Sequence, residues 1–172
     1  MKILVGYDGS PDARAAVHLA GTMFDGHVAF VVTVWEGLSE VLSRAGSGLA
    51  TASLDFEGID RVSEAAARHC ADDGAARARV AGVNATAVAV RRGVSIPDTL
   101  LEQADELGAD LIVVGSRGLG GVKAAVQGSV SRSVLQHSDR PVLVVPAAEP
   151  ISRRTRRRRR SPIDADLLSV KL

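Results

Sequence analysis

Aromatic residues are nearly missing from this chain. Three Phe, one Trp and one Tyr account for 3% of its 172 residues, while 46% are hydrophobic. A core must therefore be built from Val, Leu, Ile and Ala. Cysteine is scarcer still. Cys70 stands alone, which excludes an internal disulfide and any disulfide-stapled scaffold. Its place among Ala and Val on a helical face reads as a small core residue rather than a redox centre. No apolar run reaches the roughly 18 residues of a membrane span. Lys2 leads straight into a strand, without the apolar region of a signal peptide. These absences point to a cytoplasmic protein.

Several chemistries are missing too. His18, His27, His69 and His137 show no metal-ligand spacing, and no Ser-His-Asp arrangement can be argued from them. The P-loop pattern Gly-x-x-x-x-Gly-Lys-Ser/Thr does not occur. No lysine is paired with a water-positioning residue, which efficient phosphoryl transfer needs. Binding is better supported than turnover.

Net charge is small, at +1, but it hides two opposed segments. Residues 1–150 hold 13 cations against 18 anions, a net of −5. Residues 151–172 hold 8 against 2, a net of +6. The body is acidic and the tail basic.

What is present is a regular alternation of apolar runs and helical periods. Lys2 to Tyr7 reads as a buried strand ending at Asp8-Gly9. Ser10 is a good N-cap, Pro11 suits the first helical position and Asp12 the first turn. The helix reaches about Phe24, with Ala13, Ala16, Val17 and Ala20 on one face. Val28 to Trp35 is a second strand. Glu36 to Ala52, with Gly46 and Gly48 and no clean period, reads as a surface excursion. A helix then covers about Leu54 to Arg79, with Ile59, Val62, Ala66 and Cys70 expected inward and Gly74 expected to weaken or kink it. Asn84 to Val90 is a third strand. Ser95 to Leu107 is a third helix, closed by Gly108.

The chain is organised around the stretch that follows. Leu111 to Val114 has the length and β-branched content of a buried strand. It stops at Gly115, and a loop with Gly118, Gly120 and Gly121 leads to a helix opening at Gly128-Ser129. Pro141 to Val145 is a fifth strand. Strand, glycine loop and helix N-terminus together present backbone N–H groups to an anion, and phosphate is the natural candidate.

Five strands alternating with four helices predict an α/β fold, a doubly wound five-stranded parallel sheet of order 3-2-1-4-5 with helices on both faces. Strands one and four then meet at the switch point, where such sheets bind ligands outside the carboxyl ends of their strands. Asp8-Gly9 and Gly115 to Gly118 both lie there. The domain is expected to span residues 1–147, followed by an Arg-rich, disordered tail over 148–172.

Residues 115–129 read GSRGLGGVKAAVQGS: Gly, two residues, Gly, nine residues, Gly-Ser. This resembles the nucleotide-binding signature of the universal stress protein family. ILVGYDGSPDARAAV at the start and RPVLVVP at the end are similar to that family's first strand–helix junction and last strand. The resemblance covers about residues 1–147. It implies ATP as ligand, with Mg2+ as an optional companion, and a nucleotide-dependent stress regulator or sensor. It implies that Asp8 accepts a hydrogen bond from the adenine amino group and that Val34 offers its backbone to the adenine edge. Gly115 and Gly118 would let the loop approach ribose and phosphates; Arg117 and Lys123 lie in the same loop as further sources of positive charge, which the signature does not fix. Gly128, Ser129, Val130 and Ser131 would bind phosphate through N–H groups and the two hydroxyls. It also implies a homodimer through the last strand, Arg140 to Val145.

The tail offers a different reading. Arg153 to Arg160 places seven arginines in eight positions, suited to non-specific, salt-sensitive contact with nucleic acid or anionic lipid. No aromatics interleave them, so base stacking is not indicated. A polyanion-binding dimeric module is thus one alternative, and a slow ATPase or kinase is another.

Overall fold

The computed structural model describes residues 1–44, 55–119 and 128–146. Gly46, Gly48, Gly120, Gly121, Lys123 and the arginine run Arg153 to Arg160 lie outside the described residues. Five strands form one parallel sheet of order β3-β2-β1-β4-β5, as the sequence predicts. The strands are β1 (Lys2–Gly6), β2 (Val28–Trp35), β3 (Asn84–Arg91), β4 (Leu111–Gly115) and β5 (Val142–Val145). The helices are α1 (Pro11–Met23), α2 (Leu38–Arg44), α3 (Phe56–Ala81), α4 (Ile96–Glu106) and α5 (Ser129–His137).

The central strand explains the architecture. In β1, Ile3 and Val5 face one way and Leu4 the other, and all three are completely buried. A strand apolar on both sides needs helices on both sides. Ile3, Val5, Val31 and Val113 pack with Ala16, Val17 and Ala20 of α1 and Ala75 and Ala78 of α3. Leu4, Val32, Ile112 and Val114 pack with Leu100 and Ala104 of α4 and Val134 of α5.

Two expectations need correction. Glu36 to Ala52 is not only a surface excursion, because it contains α2. α2 is tied down by polar contacts: Leu38 N–H donates to Asp60 Oδ1 at 2.7 Å, and Arg91 pairs with Glu40 at 3.1 Å. The inward face of α3 is also different from the expected one. Ala67, Ala71, Gly74, Ala75 and Ala78 are the buried positions, and Cys70, half-buried, packs against the core as expected, whereas Ile59, Val62 and Ala66 are exposed. At about 1.5 Å per residue, 26 helical residues outrun an eight-residue strand of about 27 Å. The N-terminal turns of α3 therefore overhang the sheet. α3 runs unbroken through Gly74. A Cβ on it would stand 2.7 Å from Tyr7 Cδ1 and 2.8 Å from Val31 Cγ1, so its absence lets α3 lie close.

Candidate phosphate-binding crevice

β1, like β4, has five residues against eight in its neighbour β2, and the candidate crevice lies beyond its carboxyl end. Gly6 pairs with Val32, so β2 runs on past the end of β1. Val34 lies in that extension and is paired with Val90 of β3 on its other side. Tyr7 is held against β2 by its N–H on Val32 O (2.9 Å) and by the Thr33 hydroxyl, which donates to Tyr7 O (2.9 Å). On its other side β1 pairs with β4. β1 then leads into α1 on one face, and β4 leads towards α5 on the other. The carboxyl ends of β1 and β4 therefore part at the switch point.

Asp8 sits at this parting. Its Oδ1 accepts the Ser10 N–H at 3.0 Å and its Oδ2 accepts the Leu119 N–H at 3.0 Å. The next residue, Gly9, takes φ +77°, a value that suits glycine. Gly118 lies against the carboxylate, since a Cβ there would come within 2.7 Å of Asp8 Oδ2. Gly115 serves the other wall. A Cβ on it would stand 2.8 Å from Ala13 N, so only glycine lets the first turn of α1 rest on the end of β4. Gly128 donates its N–H to Ser116 O at 2.6 Å, and a Cβ on it would lie 3.1 Å from that oxygen. None of Gly115, Gly118 and Gly128 has positive φ. At these three the requirement is space.

α5 begins differently from the other long helices. Ser10 accepts the Ala13 N–H, Asp55 the Gly58 N–H and Ser95 the Asp98 N–H. Gly128, the N-cap of α5, has no side chain to do this, and the first intrahelical bond runs from Arg132 N–H to Gly128 O at 3.1 Å. The N–H groups of Ser129, Val130 and Ser131 thus have no acceptor within the helix, at the positive end of its dipole. Ser129 is exposed. Ser131 is buried, and its hydroxyl is shared between Ser116 O and Gly128 O, each at 3.1 Å. Its N–H rather than its hydroxyl is therefore left for an anion.

Arg117 turns towards α1. Its Nε lies 3.2 Å from Asp12 Oδ2, and the Asp12 side chain is only 5% exposed. The same carboxylate accepts the Ser116 hydroxyl at 2.6 Å. Ser10 completes the contact, donating from Oγ to Arg117 O at 3.3 Å. Sequence reasoning placed Asp12 in the first turn of α1 but missed this role. Nothing local marks a partner 105 residues away.

Beneath the Asp8–Gly9 turn lies a second polar group. Tyr7 donates its phenolic proton to Asp73 Oδ2 at 2.7 Å, and Arg77 Nε donates to the same oxygen at 2.8 Å. Burial, and then the Asp73 bond, push the Tyr7 phenol above its ordinary value. Hydrogen bonds from Arg77 and Tyr7 hold Asp73 below the usual carboxylate range. Burial pushes the Cys70 thiol up as well, which makes its reactive thiolate scarce at neutral pH. Among the described residues no group of three or more His, Cys, Asp or Glu is arranged to hold a metal ion. Asp8, Gly115, Gly118, Gly128 and the first turn of α5 are thus gathered into one cluster. Val34 stands at the neighbouring strand end, and Arg117 is turned onto α1.

Comparison with known proteins follows this geometry. A family model described as the universal stress protein family matches residues 1–146. Universal stress protein YxiE of Bacillus subtilis is 54% identical over 46 residues, 27% of this chain and 31% of that protein. Universal stress protein G of Shigella flexneri is 45% identical over 51 residues, 30% of this chain and 35% of that protein. The matched stretches thus span about a third of these relatives. Among solved structures, the hypothetical protein MJ0577 has a TM-score of 0.69 at 22% identity, covering 87% of this chain and 97% of that one. A universal stress protein from Archaeoglobus fulgidus in complex with dAMP has a TM-score of 0.59 at 22% identity, covering 84% and 97%. A universal stress protein in complex with cAMP has a TM-score of 0.57 at 24% identity, covering 86% and 98%. At these identities the structures show a shared fold.

Proposed function

The chain belongs to the universal stress protein family, and from that premise we propose that it is an ATP-binding regulator or sensor rather than a catalyst, with hydrolysis slow at most. One observation carries this reading. The uncapped N-terminus of α5 opens beside the Asp8–Gly118 contact, at the switch point of the sheet. Two relatives of the same fold are described as complexes with dAMP and cAMP, which supports an adenine nucleotide here. The phosphates would take the N–H groups of Ser129, Val130 and Ser131 and the Ser129 hydroxyl. Adenine would lie between Asp8 and the backbone of Val34. A Mg2+ ion would travel with the phosphates. β5 is an edge strand whose Val142, Leu143 and Val144 are half-buried, and it is the proposed homodimer seam. A cytoplasmic location is part of the same proposal; no helix among the described residues is long and apolar enough to cross a membrane.

The test is calorimetric titration of ATP into the purified protein, with Gly118→Ala as the comparison. The added methyl meets the Asp8 carboxylate, so ATP affinity is expected to fall about tenfold or more, one decade per roughly 1.4 kcal/mol. Absence of saturable binding to the native protein would end the nucleotide reading. Unchanged affinity in Gly118→Ala would move the site elsewhere.

A second reading is favoured by the seven arginines between Arg153 and Arg160. In it the tail binds polyanions and the domain serves as scaffold.

A further inference from the structure

We propose that Asp12 is the positioning residue for the phosphate half of the crevice. Its buried carboxylate fixes Ser116 and Arg117, and so sets where the glycine loop leaves β4 and where α5 begins. The consequence for ligands rests on the nucleotide reading above.

A nearly buried carboxylate must be paired and hydrogen-bonded to be tolerated. Asp12 meets this need with the Ser116 hydroxyl at 2.6 Å and the Arg117 guanidinium at 3.2 Å. Those two residues are the joint of the site. Ser116 N–H is held by Val145 O of β5 at 2.8 Å. Ser116 O receives the Gly128 N–H and the Ser131 hydroxyl, both from the start of α5. Arg117 O receives the Ser10 hydroxyl. Asp12 supplies the rest of the hold from α1, through both side chains. If Ser116 shifts, the first turn of α5 shifts with it, because Gly128 hangs on its carbonyl. The adenine side is placed by the sheet, with Asp8 just past the end of β1 and Val34 near the end of β2, and it meets the loop where Asp8 Oδ2 accepts the Leu119 N–H at 3.0 Å, beyond the Ser116 and Arg117 side chains that Asp12 holds. Arg117 pairs with Asp12, and the phosphate donors proposed for the site are the backbone N–H groups of Ser129, Val130 and Ser131 with the Ser129 hydroxyl, whose value depends on placement. Loss of Asp12 is therefore expected to weaken ligands that have phosphates and to spare those that lack them.

The experiment uses the full chain and Asp12→Asn, which keeps an acceptor for Ser116 but removes the charge facing Arg117. Amide hydrogen exchange is measured without ligand, and ATP and adenosine are titrated separately. Exchange at residues 116–119 is expected to quicken while β2 and β3 keep their protection. ATP affinity is expected to fall about tenfold more than adenosine affinity, against 1.4 kcal/mol per decade. Unchanged exchange at 116–119 overturns the proposal, and so does an equal loss for both ligands, which a merely structural role would produce. If the native protein binds neither ligand, the nucleotide reading fails, and exchange alone decides whether Asp12 holds the loop. Should Asp12→Asn not fold, Ser116→Ala removes one arm of the same hold without stranding a charge. The same split in smaller measure supports the proposal, and its absence overturns it.

Discussion

Glycine is required in this chain for two distinct reasons, and they separate by position. Gly9 and Gly108 have φ of +77° and +62°, which L side chains rarely adopt. Gly74 and Gly115 have ordinary φ but leave no room for a Cβ. The second kind is invisible in a sequence, because the neighbour that fills the space is remote. Tyr7 offers a cleaner residue-scale measurement, since it is the chain's one tyrosine. It is buried, and its proton is held by Asp73. A phenol whose pKa is raised on folding favours the neutral form in the native state. Its contribution to stability is whole below the unfolded value of about 10 and is lost as pH climbs through the higher native value. Alkaline titration of the phenolate absorbance should give a midpoint above that of free tyrosine, with the thermal midpoint falling over the same range. A native midpoint at or below the free value would contradict the buried hydrogen bond.

At the scale of elements, strands were more legible than helices. A strand buried on both faces is a short apolar run, and Val28 to Trp35 announces itself. α2 has seven residues, too few for a period to register, and it is held by polar contacts to Asp60 and Arg91 that sequence does not display. α3 shows the limit of reading by size. Its larger apolar side chains, Ile59 and Val62, trace a plausible stripe, but that stripe lies on the overhang, and Val62 is 69% exposed. The real contact face is made of alanine and glycine, which lets the helix sit close to a sheet poor in aromatics. Val62→Ser should therefore change stability by no more than about 0.5 kcal/mol. Ala71→Leu, at a completely buried position, should cost about 1–3 kcal/mol through overpacking. Chemical denaturation measures both. A larger loss for Val62→Ser than for Ala71→Leu would restore the stripe as the inward face.

For the whole molecule, strand order followed from alternation and handedness, and the glycine spacing marked the crevice within it. The joint that shapes that crevice was not legible. Asp12 and Arg117 are brought together only because β1 and β4 are neighbours and α1 folds back over both. Charge is the other property that belongs to the whole chain. An acidic body of net −5 carries a basic extension of net +6, so binding by the two parts should differ in its dependence on salt. ATP held by backbone N–H groups in a crevice should depend weakly on ionic strength. A tail that neutralises phosphates releases about 0.9 counterion per contact, so seven arginines give a slope of up to about −6 in log affinity against log salt. Titration of a labelled DNA duplex at several salt concentrations, with the full chain and with residues 148–172 removed, separates the two functions. Loss of the steep slope with ATP binding intact assigns polyanion contact to the tail and leaves nucleotide binding to the domain. An unchanged slope would place the polyanion contact on the domain itself, against its net negative charge, and the tail reading would fall.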